Sequence, residues 1–450
     1  MAISAAEVTL VTVDPGHFHA ALFQKEMLPG VAARSYVYAP LGPDLVAHLN
    51  RVAQFNTRAG QPTDWSLQVC AGADYWERLL RERPGELVVL SGINRGKIDR
   101  IRKLVERGWH VLADKPWIIE PDDLPALERA LEVAETNGVV AFDGMTQRFE
   151  ITCLLQRELV NEPDIFGQPA SGTSAQPAVS MESVHSLFKE VAGVPNRRPA
   201  WFFDIHQQGE GLTDVGTHLV DLVQWTLFPD QAVDYRRDIV VQQAKRWPTM
   251  LSRAEFQRVT GETAFPAYLS TAVTNDQLRY FANTSVRYTI RGIQTRLVVR
   301  WEFQTTEGAA DTEWAVFRGT RSSIEVRQGK PENYVPEVYV VPSAPARAAK
   351  VRAALRKKIQ ALQTVCPGLA MDDQGTRLRL VIPVPYRIGH EAHFGRLTRA
   401  FLDYLRDPKT LPAWEKPNML AKYYVTTRGI ELARLNRDNT PEQTQTNHTP

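Results

Sequence analysis

Residues 108–143, "GWHVLADKPWIIEPDDLPALERALEVAETNGVVAFD", read as strand, helix and strand. The runs 109–113 and 139–143 are short and apolar. Between them Leu124, Leu127, Leu131 and Ala134 fall on one helical face, and Gly138 follows as a stop. Two strands joined by a crossover helix lie parallel. The unit recurs upstream: strand-like runs at 8–13, 35–39, 67–71 and 86–91 alternate with helical segments such as "IDRIRKLVERG", 98–108. Six strands in this alternation predict a doubly wound parallel sheet, an α/β nucleotide-binding (Rossmann) domain over residues 1–160.

The pattern then changes. Residues 161–180 are rich in Pro, Gly and Ser and read as a linker or surface loop. "GLTDVGTHLVDLVQWTL", 211–227, has helical periodicity. Beyond about residue 280 β-type runs dominate, at 285–292, 294–304, 313–319, 322–328 and 336–341, several alternating apolar with charged residues. Helical segments are expected at 346–364, 391–406 and 417–435. The expectation is an α+β domain over 161–435 with a large, open, mostly antiparallel sheet, and a polar, disordered tail over 436–450. Only six strand–helix units are found, which disfavours an eight-fold barrel.

Composition narrows the function. The 450 residues are 43% apolar and 23% charged, with 53 Lys plus Arg against 51 Asp plus Glu. Such a balance gives no reason to invoke nucleic acid or an anionic membrane. No apolar run approaches a membrane span. Cys70, Cys153 and Cys366 are scattered and odd in number, which argues against a disulfide framework or a zinc ribbon and fits a cytoplasmic protein. The opening residues carry no export signal pattern.

Three clusters carry chemistry. The first strand runs into Asp14, Gly16, His17, Phe18 and His19. That turn reads either as a phosphate-binding loop or as the first two ligands of a metal hydrolase. Lys115 ends a parallel strand, at the sheet edge where such folds bind ligands, and Pro116 stiffens its backbone. Asp214, His218 and Asp221 stand at i, i+4 and i+7, on one face of a helix. A carboxylate beside an imidazole can serve as acid or base near neutrality.

Together the second and third clusters resemble the glucose–fructose oxidoreductase and inositol dehydrogenase superfamily (Gfo/Idh/MocA). Its Gly-x-His-Val-Leu-x-Glu-Lys-Pro run is met here by Gly108-Trp109-His110-Val111-Leu112-Ala113-Asp114-Lys115-Pro116. Its Gly-Gly-Gly helix motif is met by Gly209-Glu210-Gly211, Asp214, Gly216, His218, Asp221 and Leu222. Gln147-Arg148-Phe149 is similar to its Arg-Phe step, and Ser91-Gly92-Ile93-Asn94 holds the place of its Thr-Pro-Asn turn. The resemblance covers about residues 6–230. It implies hydride transfer between NAD or NADP and a hydroxyl carbon of a sugar, glycoside or polyol. In that mechanism His218 is the acid/base, Asp214 assists it and Lys115 binds the reacting oxygen, with Asp221 in a supporting role. Cofactor contacts are implied for Asp14, Gly16, His17, Phe18, His19, Ser91, Asn94, Asp114, Lys115, Gln147 and Arg148. A homodimer or homotetramer is also implied, and no metal. The same resemblance admits an NAD-dependent glycosidase with no net redox change. A metal hydrolase and a non-catalytic sugar sensor stand further off.

The first cluster departs from the pattern. In place of Gly-x-Gly-x-x-Gly stand Asp14, Gly16 and His19. Asp14 would repel a diphosphate unless turned away, and His19 is bulky where glycine packs. The second strand ends near Tyr38 and Ala39, with no acid for the ribose, so NAD and NADP stay open. In the 180–189 strand Glu182 and His185 are candidate sugar contacts, but opposite parity lets only one face the site. Trp201 is a candidate stacking ring. His390, Glu391 and His393 read as a helix start rather than a metal site, in a segment expected to line the second domain's sheet.

Overall fold

Strand β1 (Leu10–Val13) is buried at all four positions, as a strand covered on both faces must be. The computed structural model describes residues 7–191, 194–195, 197–304, 310–436, 438 and 440–442. They divide into two units. The first takes the described residues up to Glu150 with His206–Gln208 and Ile388–Lys416; the second takes Ile151–Ile205, Gly209–Arg387 and the described residues from Pro417.

In the first unit, β1 is followed by α1 (His19–Leu22), β2 (Arg34–Ala39), α2 (Pro43–Thr57), β3 (Ser66–Ala71), α3 (Tyr75–Glu82), β4 (Leu87–Leu90), α4 (Lys97–Glu106), β5 (His110–Ala113), α5 (Leu124–Thr136) and β6 (Ala141–Asp143). All six strands are parallel, in the order β3-β2-β1-β4-β5-β6. This is the expected doubly wound sheet. Its order reverses between β1 and β4, so the loops after β1, β4 and β5 frame the crevice where such sheets bind ligands.

The helix His390–Arg406 does not line the second unit's sheet, as expected from sequence, but belongs to the first unit. Phe394, Leu397, Phe401 and Leu402 enter a core with Leu10, Leu87, Val89, Leu112 and Phe142. Each buried ring or aliphatic chain contributes roughly 1.5–3 kcal/mol. An amphipathic stripe requires burial without naming the surface that provides it.

On α2, His48 is buried and neither ring nitrogen has a hydrogen-bond partner among the described residues. Burial, helped by Arg51, lowers its pKa from 6.5 to about 4. Above pH 6.5 both folded and unfolded chains hold it neutral. As pH falls towards 4, only the unfolded chain takes the proton, and stability is lost. The linkage amounts to about 2.5 kcal/mol at about pH 4.5. His48→Leu is therefore expected to remove that part of the acid destabilisation, read as a smaller fall in denaturation free energy between pH 7 and 4.5.

The second unit opens with α6 (Ile151–Val160) and, after a loop, β7 (Val179–Ser186). Its ten-stranded sheet runs in the order Ile239–Ser252, Gln277–Ile290, Ile293–Glu302, β7, Thr312–Arg318, Ser322–Gln328, Glu337–Pro342, Leu378–Val381 and Ala370–Asp373, with Val273–Thr274 added to Gln277–Ile290. Every pairing is antiparallel except that of β7 with Ile293–Glu302. The strand Ile239–Ser252 is not legible in the sequence. It contains Pro248, and the register shifts between Trp247 and Thr249 around it, the irregularity at which a sheet tolerates proline.

Helices α7 (Gly211–Asp214) and α8 (Gly216–Leu227) are buried along their whole length. A Cβ at Gly211 would run into the Ala282 carbonyl, so glycine lets α7 lie directly on the sheet. Most of the tail expected over 436–450 lies outside the described residues. Glu442, within them, accepts from Arg296 at 2.6 Å.

Candidate active site

On the first unit the site grows from the turn after β1. Asp14 adopts φ 47°, the left-handed region that Asp tolerates better than most residues. Its N–H donates to Tyr38 O at 2.9 Å, and its carboxylate accepts from Arg100 Nη1 on α4 at 2.6 Å. So Asp14 replaces a glycine in conformation while its charge is turned away and paired. Gly16 N donates to Asp14 O and His17 N to Ser91 O. A Cβ at Gly92 would collide with this turn, so the β4–α4 loop and the β1–α1 loop hold each other. His19 fits in place of a glycine because its ring packs against Phe394, centroids 4.6 Å apart, and points Nδ1 at Asp114 Oδ2, 2.9 Å away. Phe18 packs on the His17 ring at 4.7 Å.

Asp114 is buried, and Ser91 Oγ donates to its Oδ2 at 3.0 Å. Burial opposes its charge, but the neighbouring His19, His17 and Lys115 overrule it and hold Asp114 well below the usual carboxylate range. Lys115, half-buried, follows, with a cis bond to Pro116. Asn94 Nδ2 donates to Gln208 O at 2.7 Å. Arg148 is buried against Glu415, 2.5 Å away, and stacks over Trp414, so much of its charge is engaged within the unit; Gln147 precedes it in the same short helix.

On the second unit α7 and α8 continue one another, and Asp214 and His218 are both buried. Asp221 pairs with the buried Lys422 at 3.3 Å, a structural use of its charge. Glu210, which stands where the motif has glycine, lies between Arg246 at 2.7 Å and Arg434 at 2.9 Å. On β7 parity separates the two candidates. Glu182 takes Arg300 on one face. His185 on the other receives Ser183 at its Nε2, 2.8 Å, and turns Nδ1 to Asp311, 3.0 Å. Lys189 also binds Asp311. Burial opposes the Asp311 charge, but His185 and Lys189 hold it far below the usual range. The His185 ring lies on Trp301, and Arg198 covers both Trp301 and Phe202. Asp214, Tyr280 and Asp311 all lie within electrostatic reach of Arg198. Trp201 is buried in the short helix Ala200–Phe203.

Residues 155–434 match the model of the family described as "Putative oxidoreductase C terminal domain". The chain belongs to that oxidoreductase family. A "putative oxidoreductase" of known structure from Parabacteroides merdae is 44% identical over 96% of this chain and 99% of that one, with a TM-score of 0.94. GenD2 from gentamicin A biosynthesis, solved with NAD, shares the fold at 12% identity, covering 96% of each chain, TM-score 0.56. So does KijD10, a 3-ketoreductase from Actinomadura kijaniata solved with NADP and TDP-benzene, at 14% identity over 93% of this chain and 96% of that one, TM-score 0.55. No curated protein matches it.

A nicotinamide dinucleotide fits the first unit of this oxidoreductase in strand order and at the crevice edge. Asp14, the residue most opposed to a diphosphate, is already neutralised by Arg100. The tip of β2 offers Ala39 and the exposed Leu41 where a ribose-binding acid would stand.

Arg198, Asp311, Ser183 and, above all, Lys97 were not among the residues singled out in the sequence. The Lys97 ammonium is buried and donates to Asn94 Oδ1 at 2.5 Å, Asp114 O at 3.0 Å and Pro116 O at 3.1 Å. It clamps the turn that carries Lys115. One signal was available: Lys97 shares its helical face with the buried Ile101 and Leu104. Lys97→Met should leave these oxygens without their donor and cost about 2–4 kcal/mol of stability, measured by denaturant titration.

Proposed function

We propose that this chain is a member of the Gfo/Idh/MocA superfamily that uses NAD or NADP to move hydride to or from a hydroxyl carbon of a sugar, glycoside or polyol. The observation that carries the reading is the pair of motif positions on their elements: Lys115 at the carboxyl end of β5, and Asp214 with His218 on the buried α7–α8 segment. When bound, the nicotinamide supplies the hydride acceptor or donor. In the direction of oxidation, the hydroxyl proton passes to the His218 imidazole. Asp214, one turn away, is proposed to assist it. The Lys115 ammonium stabilises the negative charge that develops on the substrate oxygen. His185, held by Ser183 and Asp311, is the group of the second unit proposed to hydrogen-bond the sugar. Gly16, His17, Ser91 and Asn94 are the residues proposed to hold the dinucleotide. GenD2 and KijD10, solved with NAD and NADP, support the cofactor class.

The test is to denature the purified protein and identify released nucleotide, and to titrate the stripped protein with NAD and NADP by calorimetry. One bound dinucleotide per chain is expected. No nucleotide and no binding heat with either would overturn the reading.

A further inference from the structure

On the first unit His17, His19 and Asp114 converge so that one ligand atom from each lies within 4.8 Å of the others. His19 Nδ1 is 2.9 Å and His17 Nδ1 3.6 Å from Asp114 Oδ2. The backbone N–H of His19 lies 3.4 Å from His17 Nδ1, which keeps the two rings on the same turn. We propose that these three residues form a site for one divalent transition-metal cation.

Three observations bear on it. Two imidazoles and one carboxylate are the donor set that zinc, manganese, cobalt and ferrous ions accept, with coordination positions left open. Asp114 Oδ1 is buried and has no hydrogen-bond partner among the described residues. A buried carboxylate oxygen without a donor is costly, and a cation satisfies it. Ser91 Oγ donates to the other oxygen, Oδ2, at 3.0 Å and so orients the carboxylate, as outer-sphere partners of metal ligands do.

The open positions would take an anionic oxygen. The turn after β1 is where doubly wound sheets hold a diphosphate by backbone amides. Here Gly16 N donates to Asp14 O and His17 N to Ser91 O, so two of those amides are engaged within the protein. A dication at His17, His19 and Asp114 would return positive charge to that edge and bind a phosphate oxygen of the dinucleotide. This phosphate role rests on the cofactor reading above; the metal site does not.

The experiment strips the purified chain with a chelator, reloads it with zinc, manganese or cobalt, and removes free metal. Elemental analysis is expected to find about one equivalent per chain, falling to roughly a tenth or less in His17→Ala and in His19→Ala. Cobalt-loaded wild type should show a visible ligand-field absorption that both variants lack. His17→Asn, checked by circular dichroism, serves if His17→Ala misfolds. Failure of wild type to retain any of the three metals, or equal retention by the variants, would overturn the site. Calorimetry of the stripped and zinc-loaded protein should give NAD affinity at least about tenfold tighter with metal. Equal affinity in the two forms would overturn the phosphate role. Absence of nucleotide binding in both would overturn the cofactor reading and the phosphate role with it, while metal retention still decides the site.

Discussion

Lys115→Met is expected to lower kcat/KM for the sugar or polyol on the order of 1,000-fold, about 4 kcal/mol of transition-state stabilisation, with NAD(P) affinity changed by less than about threefold. Methionine keeps the unbranched stem and removes the charge. What is lost is the cation beside an oxygen that becomes anionic as hydride leaves, an interaction stronger in the transition state than in the ground state. Lys115 is given this role by the proposal. Its turn is fixed on one side by the buried Asp114 and on the other by the Lys97 ammonium, which takes the carbonyls of Asp114 and Pro116. Steady-state rates read the loss, and calorimetry reads cofactor affinity separately. A fall smaller than about tenfold would remove Lys115 from the reaction.

His218→Asn should cost about 100- to 10,000-fold in the same ratio, the range seen when a positioned acid/base is removed. The pH profile carries the sharper signature. In the oxidative direction the imidazole must be neutral to accept a proton, so the wild-type rate should fall as pH drops through its pKa. The asparagine variant should lose that acid limb along with its rate. An unchanged limb would assign the titration to another group. Asp214→Asn should retain more activity than His218→Asn, because it removes an assisting group and not the proton acceptor.

The first unit was legible because parallel strands buried on both faces leave uninterrupted apolar runs, and all six were found within two residues of their observed ends. Lys115 and the Asp214–His218 face were legible because one strand end and one helix turn set their placement locally. Other features depend on residues brought together from afar. That Asp14 could stand for a glycine needed Arg100, 86 positions away. That His19 could replace another needed Phe394, on a helix whose stripe said only that it was buried somewhere. Asp311 reaches His185 across 126 positions, which no spacing rule encodes. The strand Ile239–Ser252 was hidden by its proline, which reads as a break until the bulge around it is seen.

The proposed reaction exchanges hydride between nicotinamide and a substrate carbon on this protein. Its most direct measurement supplies the purified chain with sugars and polyols deuterated at the carbinol carbons, together with NAD or NADP, and locates the label. Deuterium is expected at C4 of the nicotinamide, dependent on Lys115 and His218. Binding and turnover of a sugar with no label ever reaching the nicotinamide would contradict it.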